Sequence, residues 1–195
     1  MKKNIVLAGL LALSISLSAN ESNDASLSAN ESNRDIFIGL GIGKASFSTS
    51  YYDSSWGTEE DTEKETYFSL KAGKYIDNGR IIVSYTKYDT ESYVDINALA
   101  IEYDYFIGNS DFQPYIGANI GYSMLSIDNG PDMDGLTYGV GIGALIPINK
   151  NFDVDIGLTY NLSNQNHSEI DSYGDDIELD IDSIMHMGIA INYNF

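Results

Sequence analysis

The chain has 195 residues, no cysteine, and a formal net charge of −19 that results from 29 acidic and 10 basic residues. The lack of cysteine excludes a disulfide scaffold and any thiolate metal site. The acidic balance argues against binding to DNA or RNA through phosphate neutralisation. The length corresponds to one domain after a leader.

The amino terminus has the composition of a secretory signal peptide. Lys2 and Lys3 form a short cationic region, Ile5–Leu17 is apolar apart from small residues, and Ser16–Ala19 supplies small residues for cleavage. The alternative is a transmembrane anchor, but the apolar run is too short for a stable spanning helix. We therefore predict a signal peptide over residues 1–19.

A polar segment of low complexity follows the predicted leader. The sequence SLSANESN at residues 16–23 recurs at residues 26–33 as a tandem duplication. Such a composition cannot bury enough apolar surface to order itself. We predict a flexible lead-in over residues 20–35 and a single folded domain over residues 36–195.

From residue 36 onward, apolar and polar residues alternate in eight segments, which is the pattern of strands with two unlike faces. The predicted strands cover residues 36–47, 65–76, 80–88, 94–107, 113–125, 136–146 and 152–162, and an eighth begins after Asp176. Short turns of about three to five residues follow the even strands. Longer, acidic connections are predicted over residues 48–64, 89–93, 126–135 and 163–176.

Alternation alone does not decide which face points inward. A soluble eight-stranded barrel turns its apolar face inward, whereas a transmembrane barrel turns it toward lipid. The polar face of this chain is rich in glycine and poor in charge, as a narrow lumen requires, and the connections alternate in length as in outer-membrane barrels. Aromatic residues on the apolar face also gather near both ends of the strands, which predicts two interfacial girdles. One girdle would comprise Phe68, Tyr85, Tyr122, Tyr138 and Tyr160, and the other Tyr103, Tyr105, Phe152, Tyr193 and Phe195.

The last strand ends in uninterrupted alternation over Ile189–Phe195, on an aromatic residue. With this ending, the signal peptide and the girdles, the chain from Ile36 to Phe195 resembles the small eight-stranded outer-membrane barrels: the OmpA-type transmembrane domain, the opacity-protein group and related porin-like barrels. The resemblance implies an all-β, antiparallel, up-and-down transmembrane barrel in the outer membrane of a Gram-negative bacterium. It also implies that the amino terminus and Phe195 are periplasmic, that lipid and lipopolysaccharide surround the barrel, and that the barrel-assembly machinery reads Tyr193 and Phe195.

The lumen of an eight-stranded barrel is just wide enough to be filled by side chains. The ionisable residues predicted to face it are Lys71, Glu102, Asp104, Asp153, Asp155 and His186. Lys71 and Glu102 each lie five residues before the end of strands that run in the same direction. We expect them to form an ion pair, shared with Asp104 or Asp155, within a polar network that plugs the lumen.

The remaining candidate sites carry weaker patterns. Asp128, Asp132 and Asp134 are spaced carboxylates that suit a hard cation, but the regular calcium-loop spacing and the distal Glu are missing. The adjacent residues 167–169 (His-Ser-Glu) cannot easily adopt the geometry of a triad, and only His186 could meet a lumen serine such as Ser69, Ser84 or Ser123. We therefore predict no cofactor, no metal and no catalytic site.

The sequence thus predicts an outer-membrane barrel with a structural or surface-interaction role, a lumen filled by polar side chains and acidic external loops. Tyr51, Tyr52, Trp56 and Tyr173 offer aromatic contacts for surface or host ligands. A narrow, cation-preferring channel is the second interpretation, and a lipid-modifying enzyme the third.

Overall fold

A computed structural model describes residues 36–53, 57–90, 94–108, 112–127, 132–170 and 176–195. The predicted signal peptide and lead-in lie outside these residues and stay predictions. Within the described ranges, no helix is long and apolar enough to cross a membrane.

Eight strands account for nearly all of the described chain. They are β1 (Ile36–Asp53), β2 (Gly57–Ile76), β3 (Gly79–Asp89), β4 (Val94–Phe106), β5 (Gln113–Ile127), β6 (Asp132–Pro147), β7 (Phe152–Ile170) and β8 (Asp176–Asn194). Each strand pairs with the next in antiparallel fashion, and β8 pairs with β1 to close the barrel. The predicted all-β, eight-stranded, up-and-down barrel is confirmed.

The two ends of the barrel differ. One end, termed the turn end, holds both Ile36 and Phe195 and the short connections that follow β2, β4 and β6. The tightest of these is a two-residue turn in which Asp77 has a φ of 40° and the carbonyl of Asn78 accepts a hydrogen bond from the Phe106 amide. The opposite end, termed the hairpin end, holds the connections that follow β1, β3, β5 and β7.

The predicted long connections are wrong for three of the four hairpins, because strand pairing continues through most of their length. β1 and β2 pair as far as Asp53 with Gly57, β5 and β6 as far as Ser126 with Asp132, and β7 and β8 as far as Ile170 with Asp176. Apolar and polar residues alternate along a strand where one face of the strand meets an apolar environment and the other does not. The extension of β2 over residues 57–65 contains no apolar residue, so its backbone pairing with β1 leaves no trace in the hydropathy of the sequence.

The apolar face of the barrel points outward, as predicted. Leu40, Ile120, Val140 and Ile142 are all more than half exposed, although each belongs to a regular strand. Inward positions are mostly buried, and Phe37 and Ile82 are completely so. The inward-apolar arrangement of a soluble barrel is therefore not the one this chain adopts.

Glycine on the inward face makes room for large side chains that cross the lumen. The ring of Tyr67 lies against Gly43 and Gly188, and the ring of Tyr115 lies against Gly143. A Cβ at any of these three glycines would come within 3.0 Å of the tyrosine side chain, so something would have to shift. The glycine-rich inward face thus complements the aromatic residues that fill the lumen.

We expect Gly143→Val to destabilise the barrel by about 1–3 kcal/mol, because the added side chain would overpack against Tyr115 and the Ile156 carbonyl. The measurement is the urea midpoint of the heat-modifiable band shift in lipid vesicles. Ala118→Val, on the outward face of the neighbouring strand, is the matched control and should unfold like wild type. Equal midpoints for the two variants would contradict the tight packing of the lumen.

Candidate functional site

A buried arginine organises the turn end of the lumen. Arg80, the second residue of β3, is completely buried. Its Nε donates to Asp104 Oδ2 at 2.7 Å, and its Nη2 donates to Asp155 Oδ2 at 2.9 Å. The guanidinium carbon lies 4.8 Å from the centre of the Tyr115 ring, and the rings of Phe37 and Phe106 are within 5.8 Å. We term these six residues the arginine cluster.

Asp155 connects several strands of the barrel. In addition to Arg80, it accepts a hydrogen bond from the Tyr115 hydroxyl at 2.8 Å, and the Lys71 ammonium lies 3.6 Å from its Oδ2. The expected Lys71–Glu102 pair is therefore replaced by a Lys71–Asp155 pair. Glu102 instead lies beside Asp104, since both carboxylates approach the position where a Cβ on Gly117 would stand. The similar height of Lys71 and Glu102 along the barrel axis does not by itself select the partner of Lys71. Asp155 on β7 is also within reach of Lys71 on β2, because the lumen is narrow.

A second set of contacts holds the end of the chain against β7. Asp153 Oδ2 accepts hydrogen bonds from Asn194 Nδ2 at 2.7 Å and from the Tyr75 hydroxyl at 3.0 Å. The backbone amide of Asn194 also donates a hydrogen bond to the carbonyl of Asn151 in the adjoining turn. These contacts close the turn end beneath the arginine cluster and bind β8 to its neighbours.

A polar chamber lies above the arginine cluster. His186 faces it and contacts the Tyr88 hydroxyl at 2.7 Å and Asn161 Nδ2 at 3.3 Å. The chamber has a volume of about 90 Å³, and its lining includes Ser69, Lys71, Glu102 and His186. That volume corresponds to about three water molecules at roughly 30 Å³ each.

The chamber does not contain a catalytic triad in the described part of the chain. The hydrogen bonds of His186 go to Tyr88 and Asn161, and none goes to the hydroxyl of Ser69, Ser84 or Ser123. A nucleophilic serine needs a base within hydrogen-bonding distance and a third group that orients the base.

Much of the hairpin half of the lumen is filled by apolar side chains, so the prediction of a lumen filled by polar side chains is wrong there. A packed cluster, termed the apolar plug, includes Phe47, Tyr88, Ile96, Leu125, Met133 and Ile184. Phe47 and Tyr88 meet edge to face with their ring centres 5.1 Å apart. The sequence pattern missed this plug because the alternation is reversed near the hairpin end, where the inward residue is apolar and its neighbours are polar. Phe47, for example, stands between Ser46 and Ser48, and Met133 stands between Asp132 and Asp134.

The weak metal candidates do not converge. Asp128 lies outside the described residues. Asp132 accepts a hydrogen bond from the Ser126 hydroxyl at 2.5 Å, and Asp134 accepts one from the Tyr122 hydroxyl at 3.4 Å. In the described ranges, no three histidine, aspartate or glutamate residues come together as they would around a metal ion.

The residues of the two predicted girdles lie on the outward face. Nine of the ten are exposed, and Tyr85 is half-buried. At the turn end, Phe152, Tyr193 and Phe195 form a chain of edge-to-face contacts, with ring centres 5.2 and 5.1 Å apart. Of the aromatic residues predicted to offer surface contacts, Tyr51 and Tyr52 are exposed, whereas Trp56 and Tyr173 lie outside the described residues.

Sequence reasoning did not find Arg80, which is the centre of the lumen network. Arg80 immediately follows the two-residue turn and is the first residue of the strand predicted over residues 80–88. The available indication was parity, because Arg80 is four residues before Ser84, which is predicted to face the lumen. A charged residue on that face has to find buried partners.

Comparisons with solved structures place this barrel in a known fold. No protein-family model and no curated protein matches the sequence. Neisserial surface protein A is 19% identical, with 80% of this chain and 97% of that chain covered and a TM-score of 0.54. The N-terminal β-barrel domain of Pseudomonas aeruginosa OprF is 13% identical, with 83% and 98% covered and a TM-score of 0.56. The outer membrane protein OprG from P. aeruginosa is 16% identical, with 83% and 97% covered and a TM-score of 0.55. The chain therefore has the fold of the small eight-stranded outer-membrane barrels.

We expect Arg80→Met to cost about 3–5 kcal/mol of unfolding free energy, because it leaves the buried Asp104 without a cation and leaves Asp155 with Lys71 alone. The measurement is the denaturant-dependent unfolding of the reconstituted barrel. Lys87→Met is the control, since the Lys87–Asp95 pair is exposed and should contribute less than about 1 kcal/mol.

The combined variant Arg80→Met, Asp104→Asn, Asp155→Asn separates charge from packing. If the loss is due to uncompensated buried charge, neutralising both carboxylates should recover part of the stability lost in Arg80→Met. A combined variant that is no more stable than Arg80→Met would refute that explanation.

Proposed function

We propose that the protein is an outer-membrane barrel whose lumen is sealed and whose role is interaction at the cell surface through its hairpin end. The observation that carries this proposal is the length of the strands. β1, β2, β7 and β8 have 18, 20, 19 and 19 residues. A transmembrane strand needs only about 9–11 residues, so these four strands extend well beyond a bilayer.

The outward face supports placement in a membrane. The exposed residues of the barrel wall are largely aliphatic, and such a continuous apolar surface is unfavourable in water. Lipid and lipopolysaccharide would cover this band, with the two sets of aromatic residues at its edges. Outer-membrane barrels keep their short turns in the periplasm, which assigns the turn end, with Ile36 and Phe195, to that side.

The filling of the lumen supports a sealed barrel over a narrow cation-preferring channel. The arginine cluster closes the turn half, with Arg80, Asp104 and Phe37 completely buried, and the apolar plug closes the hairpin half. A pathway for ions would have to cross the apolar plug, whose mainly apolar side chains offer an ion little compensation for its lost hydration. The surplus of carboxylates around Lys71 is held in contacts with Arg80, Tyr115 and one another.

The extension of β1 and β2 provides a surface for partners. β2 continues from Thr66, its last residue paired with β3, to Gly57, which corresponds to about 30 Å of strand. Glu59, Glu60, Asp61 and Glu63 lie on this extension and are exposed. The negative electrostatic potential of these carboxylates attracts cationic groups of surface or host ligands. Divalent cations could link the carboxylates to anionic glycolipid.

The carboxy-terminal strand is the proposed point of contact with the barrel-assembly machinery. Phe195 is exposed, and Tyr193 packs against it on the outward face. Both rings therefore stand where a membrane-embedded partner could contact them before the barrel inserts.

The orientation can be tested with single cysteines, since the chain has none of its own. We expect Thr62→Cys, on the β2 extension, to react with a membrane-impermeant maleimide in intact cells. Lys150→Cys, in the short connection between β6 and β7, should react only after the outer membrane is permeabilised. The reverse reactivity of the two variants would overturn the proposed orientation.

Conductance can be tested in planar bilayers. We expect no discrete ion currents from the wild-type barrel or from Lys71→Ala, because the arginine cluster and the apolar plug remain in both. A porin inserted under the same conditions serves as the control for recording. Steady cation-selective openings of the wild-type barrel would replace the sealed scaffold with the channel interpretation.

A further inference from the structure

The mouth of the barrel at the hairpin end contains a cavity that lies below the acidic extension of β1 and β2. Its volume is about 440 Å³, which lies in the range of small-molecule sites and corresponds to roughly fifteen water molecules at about 30 Å³ each. Its apolar lining includes Phe47, Ile96, Leu125, Met133, Leu179 and Ile181.

The floor of this cavity is preformed. Phe47, Met133 and Ile181 are almost completely buried and belong to the apolar plug below. Their packing fixes the shape of the floor before any ligand arrives. Water in such a cavity finds few hydrogen-bonding partners on the floor, so its displacement by an apolar group is favourable.

A β-bulge contributes part of the floor. The register of β8 against β1 shifts between Ser48 and Thr49, so that Asp182 is the extra residue between Ser183 and Ile181. A shift of one residue moves the following side chains to the other face. Ile184 and His186 face inward on one side of the bulge, and Ile181 and Leu179 face inward on the other. Without the bulge, those two apolar side chains would point outward.

One wall of the cavity is acidic. Phe47 pairs with Glu63, and Thr49 pairs with Asp61, so these two carboxylates stand on the same inward face as the apolar floor. Glu63 and Glu65 line the cavity itself, together with one cation, Lys64. Above them, Tyr51, Glu59, Glu60 and Asp61 line an adjoining space that opens outward.

We propose that the mouth cavity binds a small amphipathic cation, with an aromatic or short alkyl body on the apolar floor and an ammonium group against the Glu63 side. Five carboxylates stand against one ammonium along this wall, so the potential favours a positive ligand and opposes a negative one. Tyr51 adds an aromatic face within the adjoining space, to which a cation is attracted. The assignment rests on the cavity and does not depend on the surface role.

The test uses the full mature chain in discs of zwitterionic lipid and three soluble probes of similar shape: 2-phenylethylammonium, 2-phenylethanol and 3-phenylpropionate. Methyl-labelled methionine serves as the reporter in nuclear magnetic resonance. Met133 is buried in the floor, whereas Met185 and Met187 are exposed on the outward face. We expect saturable shifts at Met133 alone, with at least tenfold higher affinity for the ammonium than for the alcohol, and no saturable shift with the carboxylate.

Two variants locate the charge. Glu63→Gln should weaken binding of the ammonium severalfold and leave the affinity for the alcohol unchanged. Glu178→Gln is the matched control. Glu178 is exposed and pairs with Tyr52, which follows the inward-facing Tyr51 in the strand and therefore faces outward. It should bind all three probes like wild type.

A third variant locates the apolar floor. Leu125→Gln should weaken both the ammonium and the alcohol, and its heat-modifiable gel migration should show that the barrel still folds. Equal affinities for the ammonium and the alcohol, or shifts at Met185 and Met187 as large as those at Met133, would overturn the proposal. The first result would remove the role of charge, and the second would show partition into lipid.

Discussion

The interior of this barrel depends on one guanidinium placed where water cannot reach it. Arg80 on β3 contacts Asp104 on the adjacent β4 and Asp155 on β7, which is four strands from β3 on the opposite side of the barrel. Burying three charges is costly, and the attraction between them offsets that cost only when the geometry is good and other polar atoms are satisfied. Both contacts are short, and Asp155 gains a further hydrogen bond from Tyr115, whereas Arg80 Nη1 and Asp104 Oδ1 have no hydrogen-bond partner among the described residues. The cluster therefore couples opposite walls of the barrel.

The cluster also explains why large and very small residues share the inward face. A guanidinium and its aromatic neighbours can cross a narrow lumen only if other strands contribute no side chain at that level. Gly143 and Gly157 lie against Tyr115, Gly73 lies against Phe37, and Gly117 lies against Asp104. The inward glycines, which alternate with outward aliphatic residues, thus leave space for the large side chains that fill the lumen. They allow the lumen to be sealed, and they allow the strands to lie close together.

The sequence predicts the strands and their faces well only for the parts of each strand that lie between lipid and lumen. There, the alternation correctly specified the strand order, the antiparallel pairing and the outward apolar face. Lys71, Glu102, Asp104, Asp155 and His186 were assigned inward by the same parity. Partners were harder to predict, because parity gives a face and not the contact across a curved lumen. Lys71 accordingly reaches Asp155 on β7 rather than Glu102 on β4.

The alternation fails where a strand leaves the lipid. The extension of β2 over residues 57–65 has no apolar face, so its pairing with β1 came from backbone hydrogen bonds that leave no trace in hydropathy. The start of β8 was predicted only as lying after Asp176, and the bulge at Asp182 reverses parity between Ile184 and Ile181, so the pattern of the terminal strand does not extend to its beginning. Both features lie at the hairpin end, where the mouth cavity lies. Features that disturb a regular pattern are the ones that build a local site.

The position of the mouth cavity relative to the seal limits what it can do. Its floor is formed by the same apolar residues that separate it from the polar chamber, so a ligand of its size has no continuous path into the 90 Å³ below. Passage would require Phe47, Met133 and Ile184 to separate, and that would expose the apolar plug to water. Retention at the mouth leaves the plug intact. The physical consequence is that occupancy of the cavity couples to the β1–β2 extension above it, whose inward carboxylates share the same wall, and not to the arginine cluster at the other end of the barrel.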